Sequence, residues 1–356
     1  MTWAFQPQMV EGELLSAYLS RTAHAHGATP GGFCRRHISD GWYFTRDVDR
    51  GIATAHHRRI AELAGLSVEA VNAMTLRALV DILELDRPAG ETPAAVTPWI
   101  NAVGIKQAKR RFRALSYCPE CLEQDGIVRQ CWRLSFHTWC SHHGKPLLDA
   151  CARCSAAFVP HLTRRSLRNC HACGDLRRRP VSASIPGDAA DLQEEMDALI
   201  GSSFNGSRES IERLQALRTL VSIGLNARHG KPIYAPVSSA HVLRKYARLE
   251  TLDLAARAAV MVWLGELVSD WPQSFRRLAE SIGLTQRTFA RTGVPNMVSD
   301  WLRGEVEALP EGHTKRRVRA TDALAEKIAA SQQAAIGNWR AKRAEILMLE
   351  ANRHGR

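Results

Sequence analysis

At 356 residues the chain is long enough for two or three domains of the usual ~100–200 residues. Its 45% hydrophobic and 24% charged residues are those of a folded globular protein, which excludes collagen-like, wholly disordered and small disulfide-stapled scaffolds. Lys and Arg number 48 against 36 Asp and Glu, a formal charge of +12, and this excess favours an acidic partner such as a nucleic acid.

The N-terminus lacks the basic flank, apolar core and small-residue cleavage site of a secretory signal. No apolar run reaches the ~18 residues of a membrane span, the best being Ala258 to Val268, which carries Glu266. A cytoplasmic protein without a membrane partner is expected. The spacing of Leu14, Leu15, Tyr18 and Leu19 predicts a helix, with Glu11 and Glu13 near its positive end and a stop at Gly27 and Thr29-Pro30-Gly31-Gly32. Further on, Ala61-x3-Gly65-x5-Val71 has the spacing of a helix-turn-helix, although its second helix, SVEAVNAMT, holds no basic residue and a purely architectural hairpin accounts for it as well. Asp47, Asp49, Asp81 and Glu84 lack the spacing of a metal-dependent nuclease site and read as solvated faces. Three prolines in residues 85–98 mark a linker, closing an N-terminal helical domain over 1–98, and the basic run Lys106 to Arg113 follows.

Nine cysteines in a chain without a signal peptide argue against a disulfide framework. Their spacing gives two consecutive quartets: Cys118-x2-Cys121 with Cys140-x2-His143, and Cys151-x2-Cys154 with Cys170-x2-Cys173. A C-x2-C turn presents two thiolates to one tetrahedral ion, and a second knuckle 15 to 18 residues later completes the shell, the pattern of structural Zn2+ with no open position for catalysis. His143 is preferred over His142 because it keeps the x2 spacing and Gly144 allows the tight turn. Two ions bound by seven thiolates lower the net charge from +12 to about +9. Cys34 and Cys131 are left as core or free thiols. Trp132, Leu134 and Phe136 alternate with Arg133, Ser135 and His137, which predicts a strand with one face under the metal and His137 on the surface. Arg164, Arg165 and Arg168 project near the second metal-held turn and, with Arg177, Arg178 and Arg179, are the candidates for phosphate contact. The tandem zinc-finger module spans 99–180.

The remainder, 181–356, reads as a helical domain. Leu192, Met196, Leu199 and Ile200 form one stripe, and Ile211, Leu214, Leu217 and Val221 another. Leu252 to Val268 is apolar on most sides and suits the central helix of a bundle. The helix-turn-helix spacing recurs as Ala279-x3-Gly283-x5-Phe289, with Thr285 as N-cap of a second helix displaying Gln286, Arg287 and Arg291 to DNA. Thr321 to Arg356 has the pattern of a long charged helix. The fold class expected is mainly α with small zinc-ribbon or knuckle β elements, flanked on each side by a helix-turn-helix-like unit. G-x4-G-K-[ST], H-E-x-x-H and G-x-S-x-G motifs are absent from the sequence, so an enzyme is not expected.

The string Pro7-x3-Glu11-x-Glu13-Leu14-Leu15-Ser16-x-Tyr18-Leu19-x-Arg21-x-Ala23-x3-Gly27, then Tyr117-Cys118-Pro119-x-Cys121-Leu122-x2-Asp125, Trp132-Arg133-Leu134-Ser135-Phe136 and Cys140-x2-His143-Gly144-x2-Leu147-Leu148-Asp149-x-Cys151-x2-Cys154, resembles the TniQ/TnsD family of transposon target-selection proteins. The likeness covers about the first 175 residues; members carry Cys-Pro where this chain has Cys140-Ser141, and the C-terminal half diverges. The resemblance implies a non-enzymatic adaptor that links target DNA or a CRISPR effector complex to an AAA+ transposition ATPase, with a homodimer as a further expectation. The rival readings are a sequence-specific helix-turn-helix transcription regulator and, behind it, a metal-dependent nuclease.

Overall fold

A computed structural model describes residues 2–38, 43–51, 54–84, 96–106, 109–110, 112–175, 186–225, 248–290 and 300–312. In the N-terminal segment, α1 (Leu15–Ala25) buries Leu15, Tyr18 and Leu19, and the preceding Leu14 is also buried. Leu14 has no side-chain oxygen to cap this helix, so the free N–H groups of its first turn need a partner from elsewhere in the chain. Helix α2 (Pro30–His37) starts at Thr29, whose hydroxyl accepts from the Gly32 N–H, with Pro30 in the first turn. Helices α3 (Thr54–Ala64) and α4 (Val68–Ala73) form the expected pair: Gly65 turns at φ 66°, Ser67 caps α4, and Ala61 and Val71 are buried between them. The segment ends in α5 (Arg77–Leu83).

The middle of the chain has little regular structure. A two-stranded hairpin, β1 (Ile105–Lys106) with β2 (Lys109–Arg110), precedes α6 (Pro119–Gln124), and a second antiparallel pair, β3 (Trp139–Cys140) with β4 (Lys145–Pro146), follows it. The strand expected through Trp132 to Phe136 is absent: Gln130–Arg133 is a 3-10 turn, and Leu134 makes one isolated bridge to Ile100. Every residue from Trp132 to Thr138 is buried, His137 included. The polar alternate positions face inward because both sides are covered, one by the N-terminal segment and the other by the C-terminal helices; Arg133 and His137 find side-chain partners there, while the Ser135 hydroxyl is buried without one among the described residues. The segment is also stitched to α1, through Leu14 N–H to Val128 O (2.9 Å) and Gln130 N–H to Gly12 O (2.7 Å).

The C-terminal helices are α7 (Gly187–Phe204), α8 (Arg208–Leu225), α9 (Leu254–Ser269), α10 (Gln273–Ile282), α11 (Gln286–Ala290) and α12 (Asp300–Glu307). The apolar α9 is central as expected, packing on α7, α8 and α10, with Asp253 as its N-cap. Gly265 lets it approach closely, since a Cβ there would lie 2.7 Å from the Asp188 carbonyl. One apolar core runs from Leu14 through Trp99, Tyr117, Trp132 and Phe136 to Leu217, Leu264 and Leu302, and a smaller one, with Tyr18, Phe33, Ile60 and Val71, fills the N-terminal segment. Residues up to Pro310 form one compact unit; a second, Glu311–Arg356, lies almost wholly outside the described residues, as does the expected tail helix. The boundaries at 98 and 180 therefore stand as proposals about folding units, within a chain whose three segments share a core.

Candidate metal centres and the surfaces they hold

Three of the four knuckles close in the same way. The N–H four residues after the first cysteine bonds back to that cysteine's carbonyl: Gly144 to Cys140 (2.8 Å), Ser155 to Cys151 (2.9 Å) and Gly174 to Cys170 (2.9 Å). All three closing residues are left-handed, with φ of 59°, 59° and 74°, which favours glycine at two of them and strains Ser155. The fourth knuckle closes helically, since Cys118 precedes α6 and Cys121 lies within it. These turns bring the ligand atoms of each quartet within 4.8 Å of one another.

In the first quartet Cys121 and Cys140 Sγ are 3.6 Å apart, and His143 Nδ1 lies 3.5, 3.3 and 3.6 Å from the sulfurs of Cys118, Cys121 and Cys140. In the second, Cys151 and Cys173 are 3.7 Å apart and Cys154 and Cys170 3.6 Å. A tetrahedral ion with Zn–S bonds of about 2.3 Å requires sulfurs about 3.8 Å apart, so donor set and spacing both fit two structural zinc ions. Among the crowded sulfurs of the first quartet, hydrogen bonds to Cys121 and Cys140 push the Cys118 thiol well up, while those to Cys118 and Cys121 pull Cys140 down. A dication removes that conflict by letting all three sulfurs ionise. Lys145 Nζ donates to Glu120 Oε1 (2.6 Å), tying β4 to α6.

Buried ion pairs join this centre to the helices on either side. Arg133 is 1% exposed; its guanidinium meets Asp47 at 2.7 Å and Asp49 at 3.4 Å, and also donates to the Asn101 carbonyl. Asp49 in turn accepts the Ser16 N–H (2.8 Å) and hydroxyl (2.9 Å), supplying the cap that α1 lacks in its own sequence. Burial raises the Asp49 carboxyl and Arg133 opposes the rise. The reading of Asp47, Asp49 and Glu84 as solvated is thereby corrected: all three are largely buried, Glu84 with Arg50 and Thr97, and only Asp81, paired with Arg77, is a surface acid. Towards the C-terminal helices, fully buried Glu250 accepts from the Trp99 N–H (2.9 Å) and from Arg218 of α8 (2.7 Å). Buried Arg257 of α9 donates to Ser116 and to the carbonyls of Leu134 and Ser135. His137, expected on the surface, bonds Asp197 of α7 at 2.7 Å; burial alone would lower its pKa, but Cys131 and Asp197 outweigh it and hold it at about 10. Cys34 is a core thiol pushed up to about 12 by burial.

Among the expected nucleic-acid residues, Arg164 and Arg165 are exposed after the 3-10 turn Pro160–Leu162. Arg168 is committed to α6, donating to the Leu122 (3.0 Å) and Gln124 (3.4 Å) carbonyls. Arg177, Arg178, Arg179 and Arg291 lie outside the described residues. The second helix-turn-helix spacing is realised by α10 and α11 about Gly283 (φ 65°), with Ala279 and Phe289 buried. Gln286, however, is not displayed: its amide donates to the Glu307 (3.0 Å) and Leu309 (2.9 Å) carbonyls, capping α12, which leaves half-exposed Arg287 as the described candidate on α11.

A family model described as TniQ matches residues 4–147, taking in the N-terminal helices and the whole first quartet but neither the second quartet nor the C-terminal helices. No curated protein matches the chain.

Proposed function

We propose that this chain, whose residues 4–147 match the TniQ family model, is a transposition-associated adaptor that links a target to an AAA+ transposition ATPase without itself making or breaking bonds. The target is DNA, read directly or through a CRISPR effector complex that the adaptor joins. The observation that carries the reading is the Asp47–Arg133–Asp49–Ser16 network. It fixes the family's N-terminal helices to its zinc centre as one body, so that a contact on one part is held in register with a contact on the other. The same network supports a binding role over the nuclease reading, because the carboxylates that would have held a catalytic metal are spent on an arginine and a helix end. Among the described residues no helix is long and apolar enough to cross a membrane, and a cytoplasmic location suits the proposed partners and the cysteine-bound zinc.

Co-purification of the zinc-loaded protein with the ATPase, with and without nucleotide, tests the proposal. A stable complex supports the adaptor; no complex, together with a preference of about 1000-fold for one duplex sequence at physiological salt, would replace it with a transcription regulator. Within the adaptor reading, the same duplex assay separates direct target reading from delegation to a partner, since delegation predicts weak, steeply salt-dependent binding to every duplex.

A further inference from the structure

The turn Pro160–Leu162 does not hang free from the second metal centre. It packs on both α1 and α2, His24 Nε2 contacts the Thr163 carbonyl at 3.1 Å, and the His161 ring stacks on Phe44 at 4.4 Å and 7°. Beyond it, Leu167 is buried and Cys170 is a ligand. Arg164 and Arg165 are thus exposed on a short span fixed at both ends, which limits the entropy lost when they bind.

Within the three stretches that meet here the charges are of one sign. Helix α1, helix α2 and residues 160–170 contain no Asp or Glu. Helix α2 is only eight residues, about 12 Å, long and ends in exposed Arg35 and Arg36, and neither these nor Arg164 and Arg165 have an ion-pair partner among the described residues. His37 reports the same field: burial lowers its pKa, and Arg36, His26 and Arg59 lower it further. Exposed Leu162 lies beside the arginines.

The geometry points to a composite surface, Arg35 and Arg36 of α2 with Arg164 and Arg165 of the second metal centre, that holds the sugar-phosphate backbone of duplex DNA independently of sequence. The inference rests on the proposed DNA association but moves it away from the helix-turn-helix units, onto a face completed by a zinc centre outside the TniQ match. Arginine suits the role because its planar fork meets phosphate oxygens two at a time.

The test is binding of the full-length zinc-loaded chain to a random-sequence DNA duplex and to the RNA duplex of the same sequence, over roughly 50 to 200 mM salt. The pair R35A/R36A and the pair R164A/R165A should each reduce the slope of log affinity against log salt by about 2, and to the same extent on a second DNA sequence. R35K/R36K should restore most of the slope, because lysine keeps the charge. Two bound zinc ions and an unchanged melting temperature in each variant establish that the fold is intact. An unchanged slope in either alanine pair would overturn the composite surface, and RNA binding as tight as DNA and equally weakened by the substitutions would overturn its assignment to DNA. The ATPase plays no part in this assay, so the surface and the adaptor reading fail or stand separately.

Discussion

In the first quartet Cys118, Cys121 and Cys140 are buried and belong to the same apolar core as Trp132 and Phe136. In the second, Cys154 is exposed, Cys173 half-exposed, and none of the four ligands joins that core. The same ligand spacing and the same turn geometry therefore serve two purposes. The first centre takes the place that a large apolar side chain would have in a metal-free protein; the second sits at the edge of that core, which Phe158 and Leu167 enter, and holds the turn Pro160–Leu162 against α1 and α2. The difference coincides with the family match, which contains the first centre and excludes the second.

The sharpest way to break this comparison is to remove one ligand from each centre. Cys118→Ser should lose the first zinc and, with it, cooperative folding of residues up to Pro310, seen as loss of near-ultraviolet dichroism together with release of most of the bound metal. Arg133→Met comes next. It leaves Asp47 and Asp49 buried without a cation, and a loss of about 3–5 kcal/mol by urea unfolding is expected, largely recovered when both acids are also changed to Asn. Cys154→Ser should release one zinc ion only, keep the cooperative transition, and open residues 160–170 to limited proteolysis; global unfolding instead would show that both centres are core.

Two smaller effects refine the picture at the edges. Gln286→Ala should cost about 1 kcal/mol through the lost cap on α12, with DNA affinity unchanged, whereas Arg287→Ala should leave stability unchanged. His57, buried and bonded to Asn72, has a pKa below the ordinary value because burial outweighs that bond. The unfolded chain therefore takes up this proton near pH 6.5 and the folded chain only at lower pH, so its stability contribution is complete above about 6.5 and falls as pH drops below it. His57→Gln should shrink the fall in urea midpoint between about pH 7.5 and 5.5 relative to the unmodified chain.

The ligands were legible in the sequence because a knuckle is a local object. Ligands three apart, closed by Gly144 or Gly174, need no knowledge of the rest of the chain, and the same holds for the helix pairs turning at Gly65 and Gly283. The interior polar residues were not legible. Arg133 and Asp49 are separated by 84 residues and Trp99 from Glu250 by 151, so alternation around Trp132 resembled a half-exposed strand although both faces are covered. Gln286 misled in the same way: a polar residue early in a short helix suggests display, and only the end of α12, 21 residues on, shows what it caps.

The cap on α1 has a consequence for synthesis. The helix begins at residue 15, its capping carboxylate belongs to Asp49, and that carboxylate's cation arrives with Arg133, 84 residues later still. At translation rates of about 5–20 residues per second, the nascent chain spends roughly 4 to 17 s with the helix end made and its counterion not yet emerged. During that interval Leu14 and Ala17 belong to a core that still lacks Trp132, Phe136 and the C-terminal helices. Truncated chains that stop short of residue 133 should therefore aggregate or occupy a chaperone, and a usable N-terminal fragment has to run through the first zinc centre.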